Sequence, residues 1–144
     1  MKVRELMTSP AVSIAPGESA ATAARTLTHY NIGALPVCTP DGMLQGMVTD
    51  RDLVIRCMAA DRPPEKTPVQ MIMSNQVEFV TGEMDVAVAA HLMGRKQIRR
   101  LPVVENGKLC GMLTLGDLAA CEPSVMDAAD ALAQITDNLS ERQL

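Results

Sequence analysis

The chain has 144 residues, with 13 Lys and Arg against 17 Asp and Glu, a formal net charge of −4 and a pI near 5.1, which argues against a general nucleic-acid-binding role. Hydrophobic residues make up 47%, enough for a real core, but aromatics are only 1% (one Tyr, one Phe, no Trp). The core must therefore be aliphatic, filled by Val, Leu, Ile, Ala and 11 Met, and the scarcity of aromatic faces argues against a stacking platform for single-stranded nucleic acid.

Charge among the first nine residues argues against a secretory leader, and no apolar run approaches the ~20 residues that cross a bilayer. A leading segment, residues 3–9, stops at Pro10. The alternating run 11–14 predicts a strand, and Pro16-Gly17 a turn. Ser19 caps a helix that runs to about Tyr30, with Ala20, Ala23, Ala24 and Leu27 on one face. So many alanines imply close helix–sheet packing. Leu35-Pro36-Val37-Cys38 reads as a short buried strand, its proline marking an edge or a strand start. Asp41-Gly42 is a hairpin-turn signal, and the chain returns through 44–48 into a second helix. Prolines in 61–68 stop that helix and forbid a new one.

The same order then repeats. A second leading segment covers 69–75, a strand 76–80 and a turn Thr81-Gly82. Asp85 caps a helix with Val86, Ala89, Ala90 and Met93 on one face. The strand Leu101-Pro102-Val103-Val104, the turn Asn106-Gly107 and the return 109–113 follow. An offset of 66 aligns Met7 with Met73, Ala24 with Ala90 and Pro36 with Pro102; after a one-residue deletion in the turn, an offset of 65 aligns Gly46 with Gly111, Thr49 with Thr114 and Asp52 with Asp117. One supersecondary unit is built twice. The expected organisation is repeat 1 over 1–60, a Pro-rich linker over 61–68, repeat 2 over 69–120, and a tail over 121–144. Within the tail, Val125, Ala128, Ala129, Leu132, Ile135 and Leu139 recur at helical spacing and predict an extra amphipathic helix.

The most informative stretch is Gly46-Met47-Val48-Thr49-Asp50-Arg51-Asp52, echoed by Gly111-Met112-Leu113-Thr114-Leu115-Gly116-Asp117. Each is glycine, two apolar residues, threonine, two variable residues and aspartate. The threonine stands where a helix begins, and unpaired backbone N–H groups on a first turn favour an anion. A carboxylate three residues on suits the vicinal diol of a ribose. The other reading is a capping box, which needs the same two positions. Cys38, Cys57, Cys110 and Cys121 have no CxxC spacing and read as small buried hydrophobes of a reducing cytoplasm. His29 and His91 read as helix-surface residues, and no metal site is expected.

A strand-helix-strand-strand-helix repeat with a Leu-Pro-Val strand, an Asp-Gly hairpin and a closing G-h-h-T-x-x-D resembles the cystathionine-β-synthase (CBS) domain. Two in tandem resemble a Bateman module, over about residues 3–120. The segments Ile32-Gly33-Ala34-Leu35-Pro36-Val37, Thr49-Asp50-Arg51-Asp52 and Gln97-Ile98-Arg99-Arg100-Leu101-Pro102-Val103 are similar to those of small stand-alone bacterial CBS pairs. The resemblance implies an α/β (α+β) fold of two tandem β-α-β-β-α repeats about a pseudo-twofold axis, plus a C-terminal helix. It also implies two clefts for adenosine-containing ligands such as AMP, ADP, ATP, S-adenosylmethionine or NAD, although many members have one working cleft or none.

By that resemblance, the first cleft would use Met112, Thr114 and Asp117 for ribose and phosphate. Thr8, Val12, Gly33 and Ala34 would face the base, and Arg99 a phosphate. The second would use Met47, Thr49 and Asp52, with Ser74, Val77, Arg99 and Arg100 on the base side and Arg51 the sole candidate for charge. The first is favoured for its small base-side residues and its arginine. Bland readings stand beside these: a solvated arginine pair at 99–100, a backbone turn at Gly33, and core filler at Met47 and Met112.

Three functions compete: a cytoplasmic, non-catalytic regulatory module that senses an adenine nucleotide; a ligand-free structural or interaction dimer; and an enzyme. The last is disfavoured, because no paired nucleophile and base and no Walker loop is present. Apolar residues of the helix after Thr49 (Leu53, Val54, Cys57, Met58) and of the tail predict a homodimer with an unknown regulated protein as partner, unless the tail covers that surface in cis.

Overall fold

The structure is a computed structural model that describes residues 1–143, with side chains described through Asp137. Leu139 therefore lies outside the residues whose side chains are described. The chain divides into two compact units, one of Val12–Val77 with Gly107–Leu109, the other of Met1–Ala11, Glu78–Asn106 and Cys110–Leu144. These units do not follow the sequence repeats. Each repeat's leading segment folds into the unit that carries the other repeat's closing motif.

In the unit holding the first closing motif, Ser19 accepts the Thr22 N–H and starts α2 (Ala20–Tyr30), which ends at Asn31 in the left-handed region (φ 52°). The strands β1 (Ala34–Cys38) and β2 (Leu44–Thr49) form an antiparallel hairpin with Leu35 opposite Val48 and Val37 opposite Gly46. The strand expected over 11–14 is reduced to one bridge: Ile14 donates to the Pro36 carbonyl at 3.0 Å and accepts from the Cys38 N–H at 2.9 Å. Buried Ile14, Ala23, Leu27, Leu35, Val37, Val48 and Ile72 make the core. The helix expected after Thr49 is one α-turn, α3 (Asp50–Asp52), running into a π-helical turn over Leu53–Met58. There the Ala59 N–H bonds to the Val54 carbonyl at 2.8 Å, and Cys57 alone is buried. The widened turn leaves Val54, Ile55 and Met58 exposed at 51, 52 and 69%.

The other unit opens with α1 (Val3–Leu6). Asp85 caps α4 (Val86–Lys96), and β3 (Arg100–Glu105) pairs with β4 (Lys108–Thr114). Asn106 and Gly107 both have positive φ, 53° and 80°, the geometry of a two-residue hairpin turn. The strand expected over 76–80 is again one bridge, Val80 to Val103. After β4 come α5 (Leu115–Ala119) and α6 (Val125–Gln143). The tail helix packs in cis on α4 and α5, burying Ala128, Ala131 and Ile135. Its approach to α4 is close: a Cβ at Gly94 would lie 3.2 Å from the Ala131 Cα and 2.8 Å from the Gln134 Oε1. Ser124 is buried, and its hydroxyl donates to the Leu118 carbonyl at 2.6 Å, fixing the turn between α5 and α6.

Candidate functional site

Both closing motifs form the same local structure. Thr49 Oγ1 accepts the Asp52 N–H at 3.1 Å, and Asp52 Oδ2 accepts the Thr49 N–H at 2.9 Å. Thr114 Oγ1 accepts the Asp117 N–H at 3.0 Å, and Asp117 Oδ2 accepts the Thr114 N–H at 2.9 Å. These are reciprocal capping boxes, so the structural role of the pair is present in both copies. Each box occupies one carboxylate oxygen and leaves Oδ1. In the first copy Asp52 Oδ1 lies 3.7 Å from Arg56 Nε, one turn on, and Arg56 is itself held by the Ile72 and Met73 carbonyls at 3.3 and 3.2 Å. In the second, position 121 is a cysteine, and Asp117 Oδ1 has no partner among the described residues. Arg56 is the residue that sequence reasoning missed. Its signal was the i,i+4 spacing from Asp52.

The glycine of each motif admits the leading segment. Met112 exchanges two backbone hydrogen bonds with Thr8 at 2.9 and 3.0 Å, and Met47 exchanges two with Ser74 at 2.9 and 2.8 Å. A Cβ on Gly111 would sit 2.9 Å from the Thr8 carbonyl oxygen, and one on Gly46 2.5 Å from that of Ser74. Only hydrogen fits at either place. The residue before the Leu-Pro strand is tied to the helix start in both copies, since the Leu115 N–H donates to the Arg99 carbonyl at 2.8 Å and the Asp50 N–H to the Gly33 carbonyl at 3.0 Å.

Of the first set of predicted residues, Thr8, Arg99, Met112, Thr114 and Asp117 are brought together in one unit, whereas Val12, Gly33 and Ala34 belong to the other. Of the second set, Met47, Thr49, Arg51, Asp52, Ser74 and Val77 share a unit, and Arg100 lies in the other. Met47 and Met112 are half-buried and outside both buried cores, Arg51 is exposed, and Ala34 is buried in β1. Neither Arg99 nor Arg100 has an acidic partner among the described residues. Both line a cavity of about 490 Å³ with Thr114, Leu115 and residues of α6.

Cys38 and Cys57 are buried, but Cys110 and Cys121 are half-buried rather than core residues, and all four are free thiols. Burial pushes the Cys38 thiol up, with a hydrogen bond to Ser13 pulling the other way, and burial also raises Cys110. His29 and His91 are exposed on α2 and α4. No group of three or more His, Cys, Asp or Glu side chains stands together as a metal site among the described residues. No helix among them is long and apolar enough to cross a membrane.

A duplicated hairpin-and-helix unit, closed in each copy by a Thr–Asp capping box, defines a tandem-repeat α+β fold. The chain belongs to the CBS-domain family: the family model described as CBS domain matches residues 3–58 and 69–123. Among curated proteins it is similar to the CBS domain-containing protein YhcV of Bacillus subtilis, 37% identical over 134 residues that cover 93% of this chain and 94% of that one. Among solved structures it is similar to Hypoxic Response Protein I, crystallised with two coordinated zinc ions (TM-score 0.78, 30% identity, 83% of this chain and 98% of that one). It is also similar to CBSX2 in complex with AMP (TM-score 0.74, 26% identity, 87% of this chain and 98% of that one).

Proposed function

We propose that the protein is a non-catalytic regulatory module that binds an adenosine-containing ligand of the AMP, ADP or ATP class through its second closing motif. The observation that carries this reading is the difference between the two capping boxes. Asp117 keeps one carboxylate oxygen open for a ribose diol, whereas Asp52 turns the same oxygen toward Arg56. Arg99, tethered to the start of the same helix and without an acidic partner among the described residues, is the group that would take a phosphate. The AMP held by the similar CBSX2 supports the ligand class. S-adenosylmethionine and NAD are the further adenosine compounds to test. Four free thiols fit a reducing cytoplasm as the place where the module works.

The test is calorimetry with AMP on three proteins. Asp117→Ala is expected to weaken AMP by about 1.5–3 kcal/mol, the range for a hydrogen bond to a charged group, while Asp52→Ala leaves the affinity near that of the wild type. Equal affinity of wild type and Asp117→Ala removes the assignment.

A second reading, an interaction dimer, rests on the exposed Val54, Ile55 and Met58 of the π-helical turn. Sedimentation equilibrium of the full chain tests it: a homodimer is expected, and a strict monomer at high concentration removes it.

A further inference from the structure

We propose that the tail helix α6 is a wall of the nucleotide site at the second closing motif and selects a ligand with a single phosphate; this deepens the adenosine reading and rests on it. The cavity of about 490 Å³ beside Thr114 is lined by two kinds of surface. One is basic, from Arg99 and Arg100 where β3 begins. The other is aliphatic and comes largely from α6, through Val125, Ala129 and Leu132. No further charged side chain lines the cavity among the described residues. The α6 carboxylates Asp127 and Asp130 line a separate cavity against α4, beside His91. Val125 and Leu132 remain 42 and 44% exposed, so the protein itself leaves this wall bare.

This lining discriminates by phosphate number. A phosphate monoester carries about two negative charges near neutral pH, and the two guanidiniums match them. A diphosphate or triphosphate adds charge, and the cavity offers no third cation among the described residues. The added phosphoryl groups have two places to go. Against Val125, Ala129 and Leu132 they lose water and find no donor. Turned out to solvent they gain no contact and meet the field of a chain whose net charge is −4. Both placements favour AMP over ATP. A neutral nucleoside is disfavoured for the opposite reason, since it leaves both arginines without an acceptor. The tail helix lies outside both repeats, so the duplicated motif alone does not carry this selection.

The experiment is calorimetry of the full chain with AMP and ATP in magnesium-free buffer, so that ATP carries its own charge. The wild type is expected to bind AMP about tenfold or more tightly than ATP. Ala129 and Leu132 are exposed on α6, so Ala129→Arg and Leu132→Lys place a cation on the wall without entering the core. Each is expected to shrink the preference for AMP by about tenfold, by strengthening ATP more than AMP. A gain in ATP binding is a readout that an unfolded variant does not give. Ala133→Arg is the control: Ala133 is exposed on the same helix but lines the cavity against α4, so the same added charge is expected to leave the preference unchanged. If ATP binds the wild type as tightly as AMP, and Asp117→Ala weakens both, the wall is overturned while the adenosine reading stands. A preference that Ala133→Arg shrinks as much as Ala129→Arg also overturns the wall, since overall charge then accounts for it. If neither AMP nor ATP binds the wild type, the adenosine reading falls and the wall falls with it.

Discussion

Replacing Gly111 by alanine tests whether the leading segment really seats on the closing motif. The added Cβ would lie 2.9 Å from the Thr8 carbonyl oxygen and 2.7 Å from the Met7 Sδ. The thioether can swing away, but the carbonyl belongs to the backbone and is held by the Met112 N–H at 3.0 Å. Relief of the clash must therefore stretch or break the two bonds between Thr8 and Met112. Overpacking of this kind costs about 1–3 kcal/mol, and each weakened bond adds on the order of 1 kcal/mol, so about 2–4 kcal/mol is expected. For a chain of this size that lowers the melting temperature by roughly 5–12 °C. Gly17→Ala is the control, because a Cβ there meets nothing within 4 Å and its φ is not positive; it is expected to be neutral or slightly stabilising. Scanning calorimetry of both variants decides the matter. Equal melting temperatures for Gly111→Ala and Gly17→Ala would falsify the steric argument and with it the placement of Thr8 against Met112.

Three other outcomes follow from the geometry. Arg99→Ala should weaken AMP more than adenosine, and added salt should mimic the substitution; equal losses for the two ligands in calorimetry would show that Arg99 touches no phosphate. Deleting the chain after Glu122 removes the buried Ala128, Ala131 and Ile135 and uncovers α4, so stability should fall by about 2–4 kcal/mol and self-association should rise, read by urea titration and sedimentation. An unchanged urea midpoint would mean that α6 does not pack on α4. The Asp85 carboxyl is held below its usual range first by the Ala87 N–H, so its folded pKa is depressed, and the stability it contributes is present above the unfolded value of ~3.9 and lost as the pH falls through the folded one. Asp85→Asn should therefore show a smaller drop in urea midpoint between pH 7 and pH 3 than the wild type; identical drops refute the cap's role.

Local chemistry carried much of the fold in the order of residues alone. Ser19 and Asp85 cap helices because their side chains reach N–H groups two or three residues on, Asn106-Gly107 turns because both residues accept positive φ, and each Thr–Asp pair closes a box across three residues. Such contacts span a few residues, and the duplication shows the helix caps and the Thr–Asp boxes twice. The Leu-Pro-Val strands and the tail helix were likewise readable from apolar spacing.

What the repeat could not reveal is where the two copies differ in their surroundings. Ala24 and Ala90 occupy matching positions on matching helices, yet Ala90 is buried and Ala24 exposed, because α6 covers α4 and nothing among the described residues covers α2 in the same way. The runs 11–14 and 76–80 alternate like strands but are held by single bridges at Ile14 and Val80. Thr8 bonds to Met112, more than 100 residues away, and no local pattern announces that exchange. Asp52 and Asp117 are the same residue in the same box, and only the neighbour one turn on, Arg56 in one and Cys121 in the other, decides which carboxylate oxygen is left open. Spacing determines which groups meet along a helix or a hairpin; packing between distant segments decides what those groups then face.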